Sequence, residues 1–365
     1  MLYFENDYSA GAHPEILRRL VETNDEPLSG YGTDLYSARA KEKIRRAVGI
    51  PDAGIVFLAG GTQTNAVVIS SMLRDCEGVV SASSGHVASH EAGAIEYSGH
   101  KVIELPQKDG KLEPSALEAY LSRFFADANR DHMVFPGMVY LSYPTEFGTI
   151  YSKKELEEIR TVCSRFGIPV YIDGARLGYG LVCKSADVTL PEIARLCDVF
   201  TIGGTKVGAL CGEAVVFTKN NMPEHFITSV KKRGALLAKG RLLGVQFDAL
   251  FTDDLYFRIS RRVIGQAEKL KELLAGHGME FYVESPTNQQ FVVLDDRQIE
   301  KLKPHVRFAY WERICDGRTA VRFAVSFSTG DEDLTKLSRI LDELQKTDAA
   351  SRRIAGAPAS EREKR

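Results

Sequence analysis

The chain has 365 residues, of which 44% are hydrophobic and 26% are charged, a composition typical of a globular protein with a substantial core. Its 47 basic and 49 acidic residues give a net charge of −2, which does not favour binding to nucleic acid or to an anionic membrane. The sequence lacks both the ~20-residue apolar run of a membrane-spanning helix and a signal peptide. Six scattered cysteines favour a reducing compartment, so these features predict a cytoplasmic enzyme.

The N-terminal segment, residues 1–40, is rich in Gly, Tyr, Asp and Asn. This composition predicts loops with one short helix over 13–22. A basic amphipathic helix is predicted over 37–48, because its apolar residues share one face and Gly49 and Pro51 follow it. We expect the N-terminal segment to pack with a small domain formed by the end of the chain.

Between residues 41 and 244, short β-rich runs alternate with helical patterns. The β-rich runs lie at 54–59, 79–82, 102–105, 138–142, 169–172, 199–202 and 213–217, and helical patterns lie at 65–73, 115–124 and 153–166. Such alternation is typical of a mostly parallel sheet that helices cover on both faces. The sequence therefore predicts an α/β fold with a seven-stranded, mostly parallel sheet in a large domain, 41–244.

After residue 244 the pattern becomes that of a smaller α+β C-terminal domain, 245–347. A long charged helix is predicted over 254–276, β-like runs follow at 279–284, 290–295 and 320–326, and an amphipathic helix is predicted over 332–345. The last stretch, 348–365, is rich in Ala, Ser and charged residues. We expect this tail to be disordered.

Two predicted strands of the large domain each end near one charged residue. The run at 168–172 is followed by Asp173, and the run at 198–202 is followed by the sequence GGTK, whose lysine is Lys206. Ligands of open α/β sheets bind outside the carboxyl ends of the strands. A lysine with a lowered pKa forms imines, and an aspartate can pair with a protonated ring nitrogen. A surface lysine and a turn-capping aspartate are the alternatives.

Three other sequences place polar groups where a cofactor and a substrate need them. Gly61 and Thr62 follow the first predicted strand and open a helical pattern, which suits a phosphate site or simply a capped turn. His86 follows the second strand, and its imidazole suits stacking on a cofactor and acid–base chemistry or a structural role. Arg322 interrupts a late strand and suits a substrate carboxylate, or it is a solvated edge arginine. Together they predict a site for pyridoxal phosphate.

These motifs, in this order, resemble those of the threonine aldolase and β-eliminating lyase family. The motifs are GGTQTN, GHVASHE, IDGARLG, GGTKVG and a late VRF, and the resemblance extends over about residues 5–345. The resemblance implies the aspartate aminotransferase fold (fold type I) and the cofactor pyridoxal 5'-phosphate. It also implies a small amino-acid substrate and a homodimer or homotetramer.

The resemblance also assigns roles by position. It implies Lys206 as the lysine that forms a Schiff base with the cofactor, and His86 as the second catalytic residue, which stacks on the cofactor ring. The implied cofactor-binding residues are Gly61, Thr62, His86, Asp173, Arg176, Thr205, Lys206 and Lys239, the last of which would reach the phosphate of the neighbouring subunit. The implied substrate-binding residues are Asn6, Tyr31, Arg176 and Arg322. No metal ligand is implied.

The chain departs from the family pattern at two places. Where relatives have an ENTHN-type segment with a histidine over the cofactor, this chain has Thr145 and Glu146. The Thr-His pair that commonly follows the late arginine is replaced by the sequence VSF at 325–327. Three candidates therefore remain for the base that takes the β-hydroxyl proton: His86, a water molecule and Glu146.

The leading hypothesis is a lyase that cleaves the Cα–Cβ bond of a β-hydroxy amino acid and gives glycine and an aldehyde. β-Elimination and transamination use the same cofactor and are alternatives. A non-catalytic α/β protein that binds a ligand such as a nucleotide is a further alternative, although no G-x-G-x-x-G sequence follows a predicted strand.

Overall fold

The computed structural model describes residues 1–355, and a seven-stranded sheet is its central element. The strands are β1 (Gly54–Leu58), β2 (Glu77–Ala82), β3 (Val102–Leu105), β4 (Phe135–Ser142), β5 (Val170–Asp173), β6 (Val199–Gly203) and β7 (Glu213–Phe217). Their order in the sheet is β1-β7-β6-β5-β4-β2-β3. β7 is antiparallel to both of its neighbours, and the other pairs are parallel. The predicted α/β fold and its seven-stranded, mostly parallel sheet are confirmed.

Helices cover both faces of this sheet, as the apolar runs predict. Every residue of β6 and of β7 is buried. Successive residues belong to different clusters: Val215 packs with Val67 on one face, and Val216 packs with Phe200 and Leu243 on the other. Side chains alternate across a strand, so a strand that is buried on both faces needs a continuous apolar run.

The helices have the following bounds. They are α1 (Pro14–Glu22), α2 (Leu35–Val48), α3 (Gly61–Met72), α4 (His86–Ser89), α5 (Ala94–Tyr97), α6 (Pro114–Ala126), α7 (Lys153–Phe166), α8 (Leu177–Val182), α9 (Leu190–Leu196), α10 (Phe226–Lys232), α11 (Arg241–Leu250), α12 (Leu255–Gly276), α13 (Asp296–Leu302) and α14 (Asp331–Ala355), with 3₁₀ turns at Arg130–His132 and Thr205–Val207. None of the helices in residues 1–355 is long and apolar enough to span a membrane.

Local capping explains where the clearest helix begins and ends. At the start of α7, Ser152 and Glu155 form a capping box. At its end, Gly167 adopts a left-handed conformation with φ of 68°. The predicted range 153–166 is therefore correct to the residue. By contrast, α3 begins at Gly61 rather than at the predicted residue 65, because glycines at its first turn hide the helical pattern.

A second, antiparallel sheet lies in the C-terminal part of the chain. Its strands are β8 (Glu280–Val283), β9 (Gln289–Asp295), β10 (Ala309–Cys315) and β11 (Arg318–Ala324), in the order β8-β9-β11-β10. Three of these match predicted runs. The edge strand β10 was not predicted, because its sequence AYWERIC is largely exposed and lacks regular apolar alternation. Short two-residue strands also pair at Gln107–Lys108 with Lys111–Leu112.

The N-terminal segment packs against this second sheet. Leu2 pairs with Val306 in a short parallel ladder, and the ring of the buried Phe4 lies 6.0 Å from that of Phe323. The division of the chain at 40/41, 244/245 and 347/348 stays a prediction. The helix α14 continues past the predicted end at 345 and ends at Ala355. The expectation of a disordered tail over 348–365 stays a prediction, and residues 356–365 lie outside the described part.

Candidate active site

A cavity of about 770 Å³ lies over the carboxyl ends of the parallel strands, between the large sheet and the second sheet. Gly60 and Gly61 follow β1 in its wall, His86 follows β2, and Arg322 enters from β11. A smaller inner recess adjoins it and reaches Asp173 at the end of β5. Ligands of open α/β sheets bind at this position, because the loops after the strands converge there.

Asp173 is a buried carboxylate held by three hydrogen bonds. Its Oδ2 accepts from Asn65 Nδ2 at 2.8 Å and from the Tyr140 hydroxyl at 2.7 Å. Its Oδ1 accepts from the backbone N–H of Ala175 at 2.9 Å. Burial acts to raise the pKa of Asp173, but the charge of His86 and these donors outweigh burial and hold that pKa below its ordinary value. Asp173 is therefore a charged group at the floor of the recess.

His86 is held by a second buried carboxylate. Its Nδ1 lies 2.8 Å from Oε1 of Glu91, which also accepts from Asn65 Nδ2 at 2.7 Å. Burial acts to lower the pKa of His86, but the hydrogen bond to Glu91 and the charges of Asp173 and Glu146 raise it above the ordinary value. The imidazole is thus fixed in orientation and favours its protonated form.

Lys206 lies in the 3₁₀ turn Thr205–Val207 directly after β6. Its backbone oxygen accepts a hydrogen bond from the Tyr179 hydroxyl at 2.5 Å, which fixes the turn. Burial and the charge of Arg176 lower the pKa of Lys206, against the opposing effect of nearby carboxylates. A larger fraction of neutral, nucleophilic amine follows from this lowering.

Glu213 is a buried carboxyl group beside Lys206. It opens β7, where it pairs with Gly203 on one side and with Leu58 on the other. Its Oε1 accepts a hydrogen bond from the Thr205 hydroxyl at 3.3 Å. Burial raises the pKa of Glu213 to about 8, although the charge of Lys206 opposes the shift.

Arg176 forms a two-point ion pair with Asp7. Its Nε donates to Oδ2 at 2.7 Å, and its Nη2 donates to Oδ1 at 3.0 Å. Asn288 Nδ2 also donates to Asp7 at 2.9 Å. The Asp7 side chain has no exposed surface, so the N-terminal segment supplies a buried anion to the wall of the site. Paired in this way, the guanidinium presents its remaining N–H groups to the cavity.

Arg322 has no carboxylate partner among the described residues. Its Nη1 donates to Gln289 Oε1 at 3.0 Å, its Nη2 donates to the backbone oxygen of Glu5 at 3.2 Å, and its Nε is buried without a hydrogen bond. The guanidinium carbon lies 5.7 Å from the centre of the Trp311 ring. Burial and the charge of Arg176 lower the pKa of Arg322 to about 10. A carboxylate from outside the chain would satisfy this cation.

The start of α3 lines the same cavity as Lys206. Gly60 is the N-cap residue, and no side chain caps the helix. A methyl group built on Gly60 or Gly61 would meet no atom within 4 Å, so the space above both residues is open. Uncapped backbone N–H groups at a helix start carry a partial positive charge and bind phosphate.

A family model described as "Beta-eliminating lyase" matches residues 7–297. The chain belongs to this family. The match covers more than half of the chain and includes the strand ends that carry Asp173 and Lys206. It confirms the resemblance that the five sequence motifs indicated, and with it the expectation of a lyase that depends on pyridoxal 5'-phosphate.

Individual relatives of this chain agree with the family assignment. The low-specificity L-threonine aldolase of Pseudomonas aeruginosa is 30% identical over 345 residues, which cover 92% of this chain and 96% of the relative. A solved structure of threonine aldolase from Leishmania major is 38% identical, with a TM-score of 0.91 over 94% of this chain and 99% of that chain. Treponema denticola cystalysin shares the fold, with a TM-score of 0.69 at 16% identity over 94% of this chain and 91% of that chain.

The cavity brings together most of the predicted site residues. They are Gly61, His86, Asp173, Arg176, Thr205, Lys206 and Arg322. Four predicted residues lie elsewhere. Thr62 is exposed on the first turn of α3, and the side chain of Asn6 accepts hydrogen bonds from Tyr8 and Ser9 in a local turn. Tyr31 and Lys239 are exposed and do not line the cavity. They lie near each other, because the Tyr31 N–H donates at 3.0 Å to the backbone oxygen of Ala238, the residue before Lys239.

Sequence reasoning missed the residues that hold the predicted ones in place. Asp173 and His86 are positioned by Asn65, Glu91 and Tyr140. Arg176 is paired with Asp7, and Lys206 lies beside Glu213. Two of these residues could have been found from the sequence, because Asn65 and Glu91 are the last residues of the motifs GGTQTN and GHVASHE. Asp7 adjoins Asn6, which the sequence favoured instead.

Proposed function

We propose that this protein is a pyridoxal-phosphate-dependent aldolase, which cleaves the Cα–Cβ bond of β-hydroxy amino acids such as L-threonine to glycine and an aldehyde. The observation that carries the proposal is the position of Lys206, whose pKa is lowered, between two groups. It lines the inner recess with the charged, buried Asp173, and it lines the main cavity with Arg322, which has no carboxylate partner among the described residues. The names of the relatives from Pseudomonas aeruginosa and Leishmania major support the same reaction.

The residues present fit the cofactor. Asp173 supplies a buried anion, Lys206 an amine of lowered pKa, and the open space over Gly60 and Gly61 an anion cradle. When bound, pyridoxal phosphate supplies a ring that accepts an electron pair, provided that its nitrogen stays protonated. Asp173 would keep that nitrogen protonated, and Lys206 would bond to the aldehyde. His86 would lie against the ring in the orientation that Glu91 imposes.

The phosphate and the substrate would be bound by the remaining predicted residues. Gly61, Thr62 and Thr205 would hold the phosphate, with the backbone N–H groups of α3 as donors. Arg322 would bind the substrate carboxylate through the edge that carries its unpartnered Nε. Arg176, already neutralised by Asp7, would orient the cofactor hydroxyl and the substrate without adding a second free charge. Asn6 and Tyr31 stay in the proposal through the family resemblance alone.

A product assay separates this reaction from its alternatives. Purified protein with added cofactor should release glycine and acetaldehyde from L-threonine in equal amounts. Pyruvate and ammonia from serine would indicate β-elimination, and accumulation of pyridoxamine phosphate would indicate transamination. Lys206→Ala should abolish release, whereas Lys184→Ala, which removes an exposed lysine paired with Glu268, should not. If wild-type protein releases no glycine from any β-hydroxy amino acid, the proposal fails.

The proposal includes a homo-oligomer, at least a dimer, in which Lys239 of one subunit reaches the phosphate site of the other. Lys239 is exposed and does not line the cavity of its own subunit, and both observations support this arrangement. Mixing Lys206→Ala protein with Lys239→Ala protein tests it. If the sites are shared between subunits, each mixed dimer holds one intact site and activity is regained. If Lys239 serves its own subunit, no site in the mixed dimer is intact and activity is not regained. A cytoplasmic location stays a prediction from the sequence.

A further inference from the structure

Glu146 is a buried acid in the wall of the cavity. It lies in the loop after β4, and it lines both the main cavity and the inner recess that reaches Asp173 and Lys206. Its residue is 8% exposed. Oε1 accepts a hydrogen bond from the Ser142 hydroxyl at 2.5 Å, whereas Oε2 is buried with no hydrogen-bond partner among the described residues. An unpartnered buried oxygen costs free energy, so this position is suited to a polar group from a ligand.

The groups around Glu146 set its basicity. Burial and the charge of Asp173 raise the pKa of Glu146, while the hydrogen bonds from Ser142 and from its own backbone and the charge of His86 act to lower it. The net pKa lies above the ordinary value. A carboxylate with a raised pKa accepts protons more readily, and general bases work best when their pKa approaches the operating pH.

Neighbouring groups are less suited to accept a proton. Asp173 already accepts from three donors. His86 is paired with Glu91, and the raised pKa of His86 favours its protonated form. His90 lies toward the rim, where its ring is 5.8 Å from the ring of Trp311, and it does not line the inner recess.

We propose that Glu146 is the catalytic base that takes the proton of the substrate β-hydroxyl group. The inference rests on the proposed aldolase function. As the O–H bond breaks, its proton moves to Oε2 of Glu146, and its electron pair forms the C=O bond of the aldehyde. The electron pair of the Cα–Cβ bond stays with Cα, which later accepts a proton, so the reaction needs no oxidant and no net proton. Ser142 holds the carboxylate in position throughout.

Glu146→Gln tests the inference, because it keeps the size of the side chain but cannot take a proton. Cleavage of L-threonine should fall by about 10²–10⁴-fold, the range of general-base catalysis. Exchange of the α-proton of glycine with D₂O needs no β-hydroxyl base and should change by less than about twofold. Cofactor affinity, followed by the fluorescence of the single Trp311, should also be unchanged. Glu312→Gln, an exposed acid at the rim, is the matched control and should keep both activities.

Other outcomes separate the two proposals. If wild-type protein exchanges the glycine proton but cleaves no β-hydroxy amino acid, the proposed function fails. If wild-type protein cleaves L-threonine and Glu146→Gln does so at a similar rate, the role of Glu146 as a base is overturned. Parallel loss of cleavage, exchange and cofactor binding would show a structural role and would overturn it too.

An infrared titration gives a readout without catalysis. The difference spectrum of the cofactor-free wild-type protein and Glu146→Gln should contain a protonated carboxyl band that disappears on titration above the ordinary pKa of 4.5. A band that titrates at or below that value would contradict the environment on which the inference depends.

Discussion

Asp7 and Arg176 are joined by two hydrogen-bonded contacts although they lie 169 residues apart in the chain. Asp7 belongs to the N-terminal segment, and Arg176 is the N-cap residue of α8, directly after the strand that carries Asp173. The pair ties a segment that packs on the second sheet to the edge of the first sheet. The cavity is therefore enclosed by residues from both ends of the chain, and removal of the pair should affect the whole molecule.

The first prediction concerns this ion pair. Asp7→Asn should lower the free energy of unfolding by about 3 kcal/mol, because it leaves the buried Arg176 guanidinium without its anion. Urea denaturation of the full chain measures the change, and Glu5→Gln, an exposed acid nearby, is the control with little effect. A loss for Asp7→Asn no larger than that of the control would contradict the prediction. Although burial opposes it, Arg176 holds the pKa of Asp7 below 3.8, so the contribution of the pair is lost only as the pH falls through that lowered pKa.

The second prediction concerns the protonation of His86. In wild-type protein the His86 ring should titrate above pH 6.5, and in Glu91→Gln its pKa should fall because the hydrogen bond to the Glu91 carboxylate, the largest effect that raises it, is weakened. Proton NMR of the imidazole signals measures both values. The stabilisation from a charged His86 is complete below the unfolded pKa and is lost as the pH rises through the raised, folded pKa.

His90 provides an internal control in the same spectra. Burial and the charges of His86 and Arg322 lower the pKa of His90, so its signal should titrate below 6.5 in wild-type protein. If both rings titrate at the same pH in wild-type protein, the prediction for His86 fails.

The third prediction is a pH dependence of stability caused by Glu213. Burial raises its pKa to about 8 from 4.5. Between those values the folded protein keeps a proton that the unfolded chain has lost. Stability should therefore fall with rising pH, by up to about 1.4 kcal/mol per pH unit for this group. Lys206, Asp173 and the Thr205 hydroxyl are the groups that face it, and the lowered pKa of Lys206 acts with the opposite sign at higher pH.

Glu213→Gln isolates this contribution. The variant removes the titrating proton, so its melting temperature relative to wild type should rise steadily from about pH 5 to about pH 8 in the cofactor-free protein. Glu224→Gln, at a residue whose side chain is 89% exposed, should show no such trend. A difference between Glu213→Gln and wild type that stays constant over this range would show that Glu213 does not take up a proton on folding.

The sequence predicted the sheet well because both faces of its strands are buried. Short, continuous apolar runs such as those of β5 and β6 are typical of strands buried on both faces. The run of β5 ends at Asp173, and the run of β6 is followed closely by Lys206. Lys206 and Asp173 were predicted for the same reason. The topology of the sheet determines the position of a residue that directly follows a strand.

The residues that hold the site were less predictable because their partners are distant in the chain. Asn65 contacts Asp173 across 108 residues, and nothing within the local sequence of either residue records that contact. Asn6 was favoured over Asp7 since adjacent polar residues in a loop have no periodicity that shows which one is buried. Asp7 is the buried one of the two, and its partner Arg176 is brought near only by the fold.

The fourth prediction concerns substrate recognition by Arg322. Arg322→Lys should raise KM for L-threonine by about 10- to 100-fold, because a lysine cannot present the planar pair of N–H groups that a carboxylate needs. Cofactor affinity should change by less than about twofold, since Arg322 lies on β11 of the second sheet, away from the start of α3. Steady-state kinetics gives KM, and quenching of the single Trp311, which lines the cavity, gives the cofactor affinity.

Arg318→Lys is the matched control, because Arg318 lies on the same strand but pairs with Glu280 on the surface. It should leave KM unchanged. The conformation of Arg322 supports the distinction, because Gln289 and the Glu5 backbone already hold two of its nitrogen atoms, while Nε has no hydrogen-bond partner within residues 1–355. If Arg322→Lys lowers kcat and leaves KM unchanged, the guanidinium acts in the chemical step and not in binding the carboxylate in the ground state.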